Sequence, residues 1–333
     1  MNNALNNPLW QPSARQASET NLAKFTTGLK LPNDYTILHA WSVDNKDLFW
    51  RAVWKHCKIV GDIGSDRVLI NENKLLESTF FPDATLNFAE NLLHDRGNQL
   101  AIISHLENGE QHKLTRNQLL EQVHALSSQF KIFNLEMGDR VAAFMPNTHE
   151  TVTTMLAATT LGGTFTSCSP DFGANGVVDR FSQTSPKILV ATSGYTYNGK
   201  FISSLPTIIE VCEQVPSIEH LILVTSLDTG TTTRNTDIEK LSAQLTCQVY
   251  YYAELIATQA VGPLEFTRVP FNHPLYIMYS SGTTGTPKCI VHGTGGTLIQ
   301  HLKEHQLHVD VKPEDRLFYF TTCGWMMWNW LVS

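Results

Sequence analysis

A chain of 333 residues, 42% of them hydrophobic and 10% aromatic, is long enough to bury one large core or two ordinary ones. Its formal charge of -7 argues against a nucleic-acid partner, because tracking phosphates requires a basic excess that releases counterions. No stretch approaches the ~20 consecutive apolar residues of a membrane span, and the first thirty residues lack the basic start and apolar core of a secretory signal, so no membrane partner and a cytoplasmic address are expected.

The six cysteines, Cys57, Cys168, Cys212, Cys247, Cys289 and Cys323, contain no C-x-x-C pair and are expected to be reduced. Residues 1–32 are rich in Asn, Gln, Ser and Thr and read as a flexible N-terminal arm without a catalytic role. From residue 33 to about 95 the character changes. Tyr35, Leu38 and Trp41, then Leu48, Phe49, Val53 and Trp54, recur at helical spacing and predict helices packed against something larger.

Residues 96–333 read as one α/β domain. Thr115 with Gln118 forms a capping-box pattern ahead of Leu119, Val123, Leu126, Phe130 and Phe133, which predicts an amphipathic helix. Gly138 and Asp139 turn the chain into an apolar run at 141–145, of buried-strand length. Asn147 and Glu150 then open a helix carrying Val152, Met155 and Leu156, which ends at Gly162 and Gly163. Further apolar runs at 187–191, 220–224 and 275–279 alternate with helical or loop segments, as in a sheet built with crossovers. The polar stretch 228–236 reads as a surface loop, since nothing in it can bury. His301, His305 and His308 share helical spacing. Either a metal face or a solvated face fits them; no Cys or carboxylate cluster accompanies them, so a solvated face is preferred and no metal site is expected.

The most informative stretch follows the apolar run 275–279. Ser280, Ser281, Gly282, Thr283, Thr284, Gly285, Thr286, Pro287 and Lys288 precede a second apolar run, Cys289, Ile290 and Val291. Glycines let backbone amides approach an anion closely, hydroxyls add donors, and a lysine supplies a point charge, which together make a polyphosphate cradle. An ordinary glycine-rich hairpin has the same composition. The G-x-x-x-x-G-K nucleotide loop does not fit: Pro287 stands where that pattern needs glycine, and a strand, not a helix, is expected next.

The string SSGTTGTPK resembles the signature of the adenylate-forming acyl-CoA synthetase superfamily. That resemblance implies a loop holding the β- and γ-phosphates of ATP through Ser280, Ser281, Gly282, Thr283, Thr284, Gly285 and Lys288. Thr283 and Lys288 would be the catalytic pair, as hydroxyl donor and charge clamp. The downstream string IVHGTGGTLIQHLKEHQLHVDVKPEDRLFYFTTCGWMMWNWLVS narrows the likeness to the acetoacetyl-CoA synthetases. LHAWSVDNKDLFWRAVWKHCKIVGD, MPNTHETVTTMLAATTLGG with TFTSCSPDFGANGVVDRFSQTSPKILVA, and GYTYNGK agree with them.

The implied fold is the incomplete large N-terminal α/β domain of an AMP-binding enzyme, with a helical extension at its start. The implied substrates are acetoacetate, ATP with Mg2+, and coenzyme A; acetate, propionate or another short acid is the alternative. Gly324 and Trp325 would line the acid pocket, although Trp325, Trp328 and Trp330 suit a core as well. Lys200 would pair with a coenzyme A phosphate, or is an ordinary surface lysine. Arg180 and Asp179 would be further site residues, but a structural ion pair explains them as well, and no role is assigned to them. The family's Tyr-Gly-x-Thr-Glu-type motif, its ribose-gripping Asp and its C-terminal lysine domain are not found, and the chain stops inside an apolar run. A truncated, inactive portion or a non-catalytic remnant is therefore expected, with the oligomeric state left open.

Overall fold

A computed structural model describes residues 10–225, 231–280 and 285–333, with only the backbone of 231–237. Contacts divide the chain into two compact units. One gathers the described residues up to Ile59, Ser65–Pro82 and Leu298–Leu317. Its helices are Ala14–Ser18, Asn21–Gly28, Tyr35–Asp44 and Lys46–His56, and its short strands Leu69–Ile70 and Thr79–Phe80 pair antiparallel.

The N-terminal stretch corrects one expectation, because residues assigned to a loose arm are helical. Ser13 and Gln16 form a capping box, and the Thr20 hydroxyl accepts from the Ala23 amide to start the helix Asn21–Gly28. That helix buries Ala23 and Phe25, while the Asn21 amide donates to Asp310 Oδ1 at 2.7 Å and its side chain donates to the Val311 carbonyl at 3.1 Å. The polar residues that suggested looseness are caps and ties.

The histidine expectation is corrected too. His301 and His305 are buried and His308 is exposed. Leu298, His301 and His305 step by three and four and so share the buried face of the helix Thr294–Lys303 and the π-helical turn Glu304–His308 that continues it.

The second unit comprises the described residues of Val60–Gly64, Asp83–Thr297 and Phe318–Ser333. Its centre is a seven-stranded sheet. In chain order the strands are β1 Arg140–Phe144, β2 Thr164–Cys168, β3 Ile188–Thr192, β4 His220–Val224, β5 Gln248–Tyr251, β6 Pro274–Tyr279 and β7 Cys289–Gly293. Their spatial order is β5-β4-β3-β1-β2-β6-β7, parallel except for the antiparallel β6–β7 pair. Among the helices are α1 Arg116–Ile132, α2 His149–Thr160, α3 Ala174–Thr184, α4 Leu205–Gln214 and α5 Thr231–Gln244. The α1 capping box of Thr115 and Gln118 is present as expected.

Phe144, Leu189, Ala191, Leu221 and Leu223 from the sheet pack with Val177, Phe181, Ile208 and Val211 from α3 and α4. The helix α2 is buried on every side from Thr151 to Thr160. Its five threonines tolerate this because each hydroxyl donates to a carbonyl of the preceding turn or of the helix entry, at 2.7 to 3.0 Å. The expected loop 228–236 is helical from Thr231; residues 228–230 lie outside the described residues. Leu241 and Leu245, buried four residues apart, seat this helix on the core, and the Thr run supplies its opening turns.

Candidate active site

The connection between β6 and β7 is necked by two hydrogen bonds. The Ser280 amide donates to the Lys288 carbonyl at 2.9 Å, and the Lys288 amide donates to Ser280 Oγ at 3.2 Å. These extend the antiparallel register that pairs Tyr279 with Cys289. Ser281, Gly282, Thr283 and Thr284 lie outside the described residues. Gly285 has a φ of +125°, which an L side chain rarely adopts, and a Cβ there would meet nothing within 4 Å. Lys288 is exposed. The described part of the site thus brings Ser280 and Lys288 together where the connection leaves the two strands.

Helix α3 holds this loop from one side through residues that the sequence left aside. Gln183 Nε2 donates to the Pro287 carbonyl at 2.9 Å. Three residues earlier, on the same helix face, the Arg180 guanidinium lies 4.4 Å from the Phe172 ring centroid and 5.7 Å from that of Tyr279. In place of the expected ion pair with Asp179, Arg180 makes this cation–π stack and donates through Nη1 to the Gly176 carbonyl at 2.6 Å. The Tyr279 hydroxyl accepts from Thr166 Oγ1 at 2.8 Å, and burial pushes its pKa up, so it stays neutral at the carboxyl end of β6.

The segment carrying Gly324 and Trp325 runs across the carboxyl ends of β1 and β2. Cys323 Sγ donates to the Met145 carbonyl at 2.8 Å, and the Cys323 carbonyl accepts from Ser167 Oγ at 2.5 Å. A Cβ on Gly324 would stand 3.4 Å from the Ser169 amide nitrogen and 3.6 Å from the Phe172 ring, so the backbone there lies close to the end of β2. The two tryptophans separate cleanly. Trp328 is fully buried, stacks on Phe165 at 6.2 Å between centroids, and donates through Nε1 to Asn147 Oδ1 at 2.8 Å. Trp325 is 67% exposed.

Lys200 is placed apart from these residues. It is exposed on an antiparallel hairpin of Gly194–Tyr197 with Lys200–Ser203. The Gly199 amide at the hairpin tip donates to Glu107 Oε1 at 2.7 Å.

A cavity of about 290 Å³ lies beside that hairpin, lined by Pro146, Thr148, His149 and Glu150 after β1 and by Thr192 and Tyr195 after β3. The chain leaves β1 toward β2 and β3 toward β4, in opposite directions, so this is the switch point at which open α/β sheets bind ligands. The His149 ring stacks on His112 at 5.9 Å between centroids, with Nδ1 3.4 Å from Glu150 Oε2. Burial is the main cause holding His149 below the usual imidazole range, with His112 adding to it and Glu150 opposing.

An open parallel sheet with a glycine-rich, lysine-bearing loop at the carboxyl end of one strand and a switch-point cavity two strands away defines an α/β protein that binds at its carboxyl edge. Among the described residues no group of three or more His, Cys, Asp or Glu is placed to hold a metal ion, and no helix is long and apolar enough to cross a membrane.

Residues 89–332 match the family described as AMP-binding enzyme, and the chain belongs to that family. It is 43% identical to an acetoacetyl-coenzyme A synthetase of Rhizobium meliloti and 37% identical to an acetoacetyl-CoA synthetase of Gallus gallus, over 98% of this chain and 49% of each relative. A solved acetoacetyl-CoA synthetase from Streptomyces lividans superposes with a TM-score of 0.88 at 36% identity, covering 98% of this chain and 49% of that one. The chain therefore spans about half the length of the curated relatives it matches.

Proposed function

We propose that this chain carries the acid-activating part of an acetoacetate–CoA ligase. The carboxylate of acetoacetate attacks the α-phosphate of ATP to give acetoacetyl-AMP and pyrophosphate. The thiolate of coenzyme A then displaces AMP. The observation that carries the reading is the necked connection between β6 and β7, which leaves Lys288 exposed where a polyphosphate can meet it. Identity to acetoacetyl-CoA synthetases along nearly the whole chain supports acetoacetate as the acid.

In this reading Ser280, Ser281, Gly282, Thr283, Thr284, Gly285 and Lys288 hold the β- and γ-phosphates. Thr283 and Lys288 stabilise charge on the departing pyrophosphate. Gly324, where backbone lies close to the end of β2, and the exposed Trp325 face the acid and exclude water from the mixed anhydride. Lys200 meets a phosphate of coenzyme A as a flexible point charge. Magnesium would arrive with the nucleotide. Residues 96–333 form the AMP-binding domain, 33–95 its extension, and the protein works in the cytoplasm.

The test is acetoacetate-dependent pyrophosphate release with ATP and magnesium. It compares this chain with a chimera joining it to the part of the Rhizobium meliloti relative outside the matched region. Release from the chimera, lowered by Lys288→Ala, is expected, with none from the chain by itself. Release driven equally by acetate or propionate would overturn acetoacetate as the substrate, and none with any acid would overturn the ligase reading.

A further inference from the structure

Arg180, on α3, is a half-buried cation. Among the described residues no carboxylate forms an ion pair with it, and Asp171 and Asp179, the acids nearest in sequence, are exposed. Its Nη1 donates to the Gly176 carbonyl at 2.6 Å, a bond within its own helix that leaves most of the guanidinium donors unused. Withdrawing a charge from water in this way is unfavourable unless something pairs with it.

The cation is nevertheless held in place. Its Cζ stands 4.4 Å from the Phe172 ring centroid and 5.7 Å from that of Tyr279, and contacts with ring faces consume none of its N–H groups. The Tyr279 ring is fixed in turn, its hydroxyl 2.8 Å from Thr166 Oγ1 and 3.4 Å from Thr184 Oγ1. Tyr279 directly precedes Ser280, and Gln183, on the same face of α3 as Arg180, donates to the Pro287 carbonyl. The guanidinium is thereby placed beside the neck from which Lys288 is exposed.

We infer that Arg180 is a phosphate-binding residue of this site, meeting the nucleotide polyphosphate alongside Lys288; the inference rests on the ligase reading. Several negative charges lie along a polyphosphate, and one lysine, a point charge, meets only part of them. A guanidinium adds a fork that takes two phosphate oxygens together, and a fork already seated on two rings loses little freedom in doing so. Phosphate is assigned in preference to the carboxylate of the acid because Tyr279 and Gln183 place Arg180 at the connection itself. Gly324 is reached only through the Phe172 ring, which lies 3.6 Å from where a Cβ on that glycine would stand.

The experiment titrates inorganic pyrophosphate into the full chain by calorimetry, comparing the parent with Arg180→Gln, Arg180→Lys and Lys288→Ala, with urea midpoints recorded for each. Arg180→Gln should weaken pyrophosphate binding about tenfold, and Arg180→Lys, which keeps the charge but loses the fork, should fall between Arg180→Gln and the parent. Should Arg180→Gln fail to fold, Arg180→Lys decides. In the chimera, Arg180→Lys should raise the KM for ATP and leave that for acetoacetate at the parent value. Pyrophosphate binding as tight in the Arg180 variants as in the parent, or none by the parent, would overturn the inference, while acetoacetate-dependent release by the chimera would still uphold the ligase reading. A raised KM for acetoacetate with that for ATP unchanged would assign the guanidinium to the acid and overturn the inference as well. Absence of release by the chimera with every acid would sink the ligase reading instead, and the pyrophosphate titration would still decide whether Arg180 holds phosphate.

Discussion

Helix α2 and the connection between β6 and β7 meet the same carboxyl edge of the same sheet, yet they are built on opposite terms. From Thr151 to Thr160 the helix shows no residue to solvent and closes its polar account internally, each threonine hydroxyl bonded to its own backbone. The connection exposes Gly285, Thr286 and Lys288, and two hydrogen bonds at its neck fasten it to the strands. Residues 151–160 of the helix are wholly buried, whereas Thr286 and Lys288 of the connection face solvent. Loops carried on a rigid scaffold are where binding sites gain precision and access together.

Substitutions in the two regions should act on different quantities. Phe144→Ala at the end of β1, where the ring is 1% exposed, should cost about 3–5 kcal/mol by urea unfolding and weaken the whole edge. Lys288→Ala should do the reverse, lowering acetoacetate-dependent pyrophosphate release in the chimera about a hundredfold with its unfolding midpoint unchanged. Equal effects on stability from these two would erase the distinction.

Thr154→Val removes a hydroxyl that donates to the Glu150 carbonyl at 2.7 Å and should cost about 1 kcal/mol in the same unfolding assay. Gln183→Ala, which releases the Pro287 carbonyl, should leave stability within about 0.5 kcal/mol of the parent while raising the KM for ATP.

The smallest effect is a pH dependence. Burial lowers the pKa of His149, so the unfolded chain binds its proton more readily than the folded one. The associated stability is complete above the ordinary imidazole pKa near 6.5 and is lost as pH falls from there toward the lowered folded value. Urea midpoints measured at pH 7.5 and 5.5 should fall on acidification, and His149→Gln should make that decline shallower. An unchanged decline would remove His149 as its source.

Legibility in the sequence followed the same division. Apolar runs announced β1, β3, β4 and β6, and the capping box marked the start of α1, because burial of contiguous side chains and local caps leave a one-dimensional trace. Strand β2 left none. Thr164, Phe165, Thr166, Ser167 and Cys168 read as polar until the fold supplies partners, such as the Ile277 carbonyl for Thr166 and the Cys323 carbonyl for Ser167. Arg180 and Gln183 were equally opaque as loop supports: three-residue spacing places them on one face of α3, while the ring and carbonyl they meet lie about a hundred positions away. The N-terminal helices were hidden for a different reason, since Ser, Thr and Asn lower apolar content while serving as caps.

The neck at Ser280 and Lys288 also has a mechanical consequence. The strands are held in register on their own side of it, Tyr279 opposite Cys289 and the Ser280 amide on the Lys288 carbonyl, so the pairing of the sheet is fixed before the connection begins. Residues added between the clamps would lengthen the closed segment at an entropic cost that grows only logarithmically, while the strand register on the far side of the neck stays as it was.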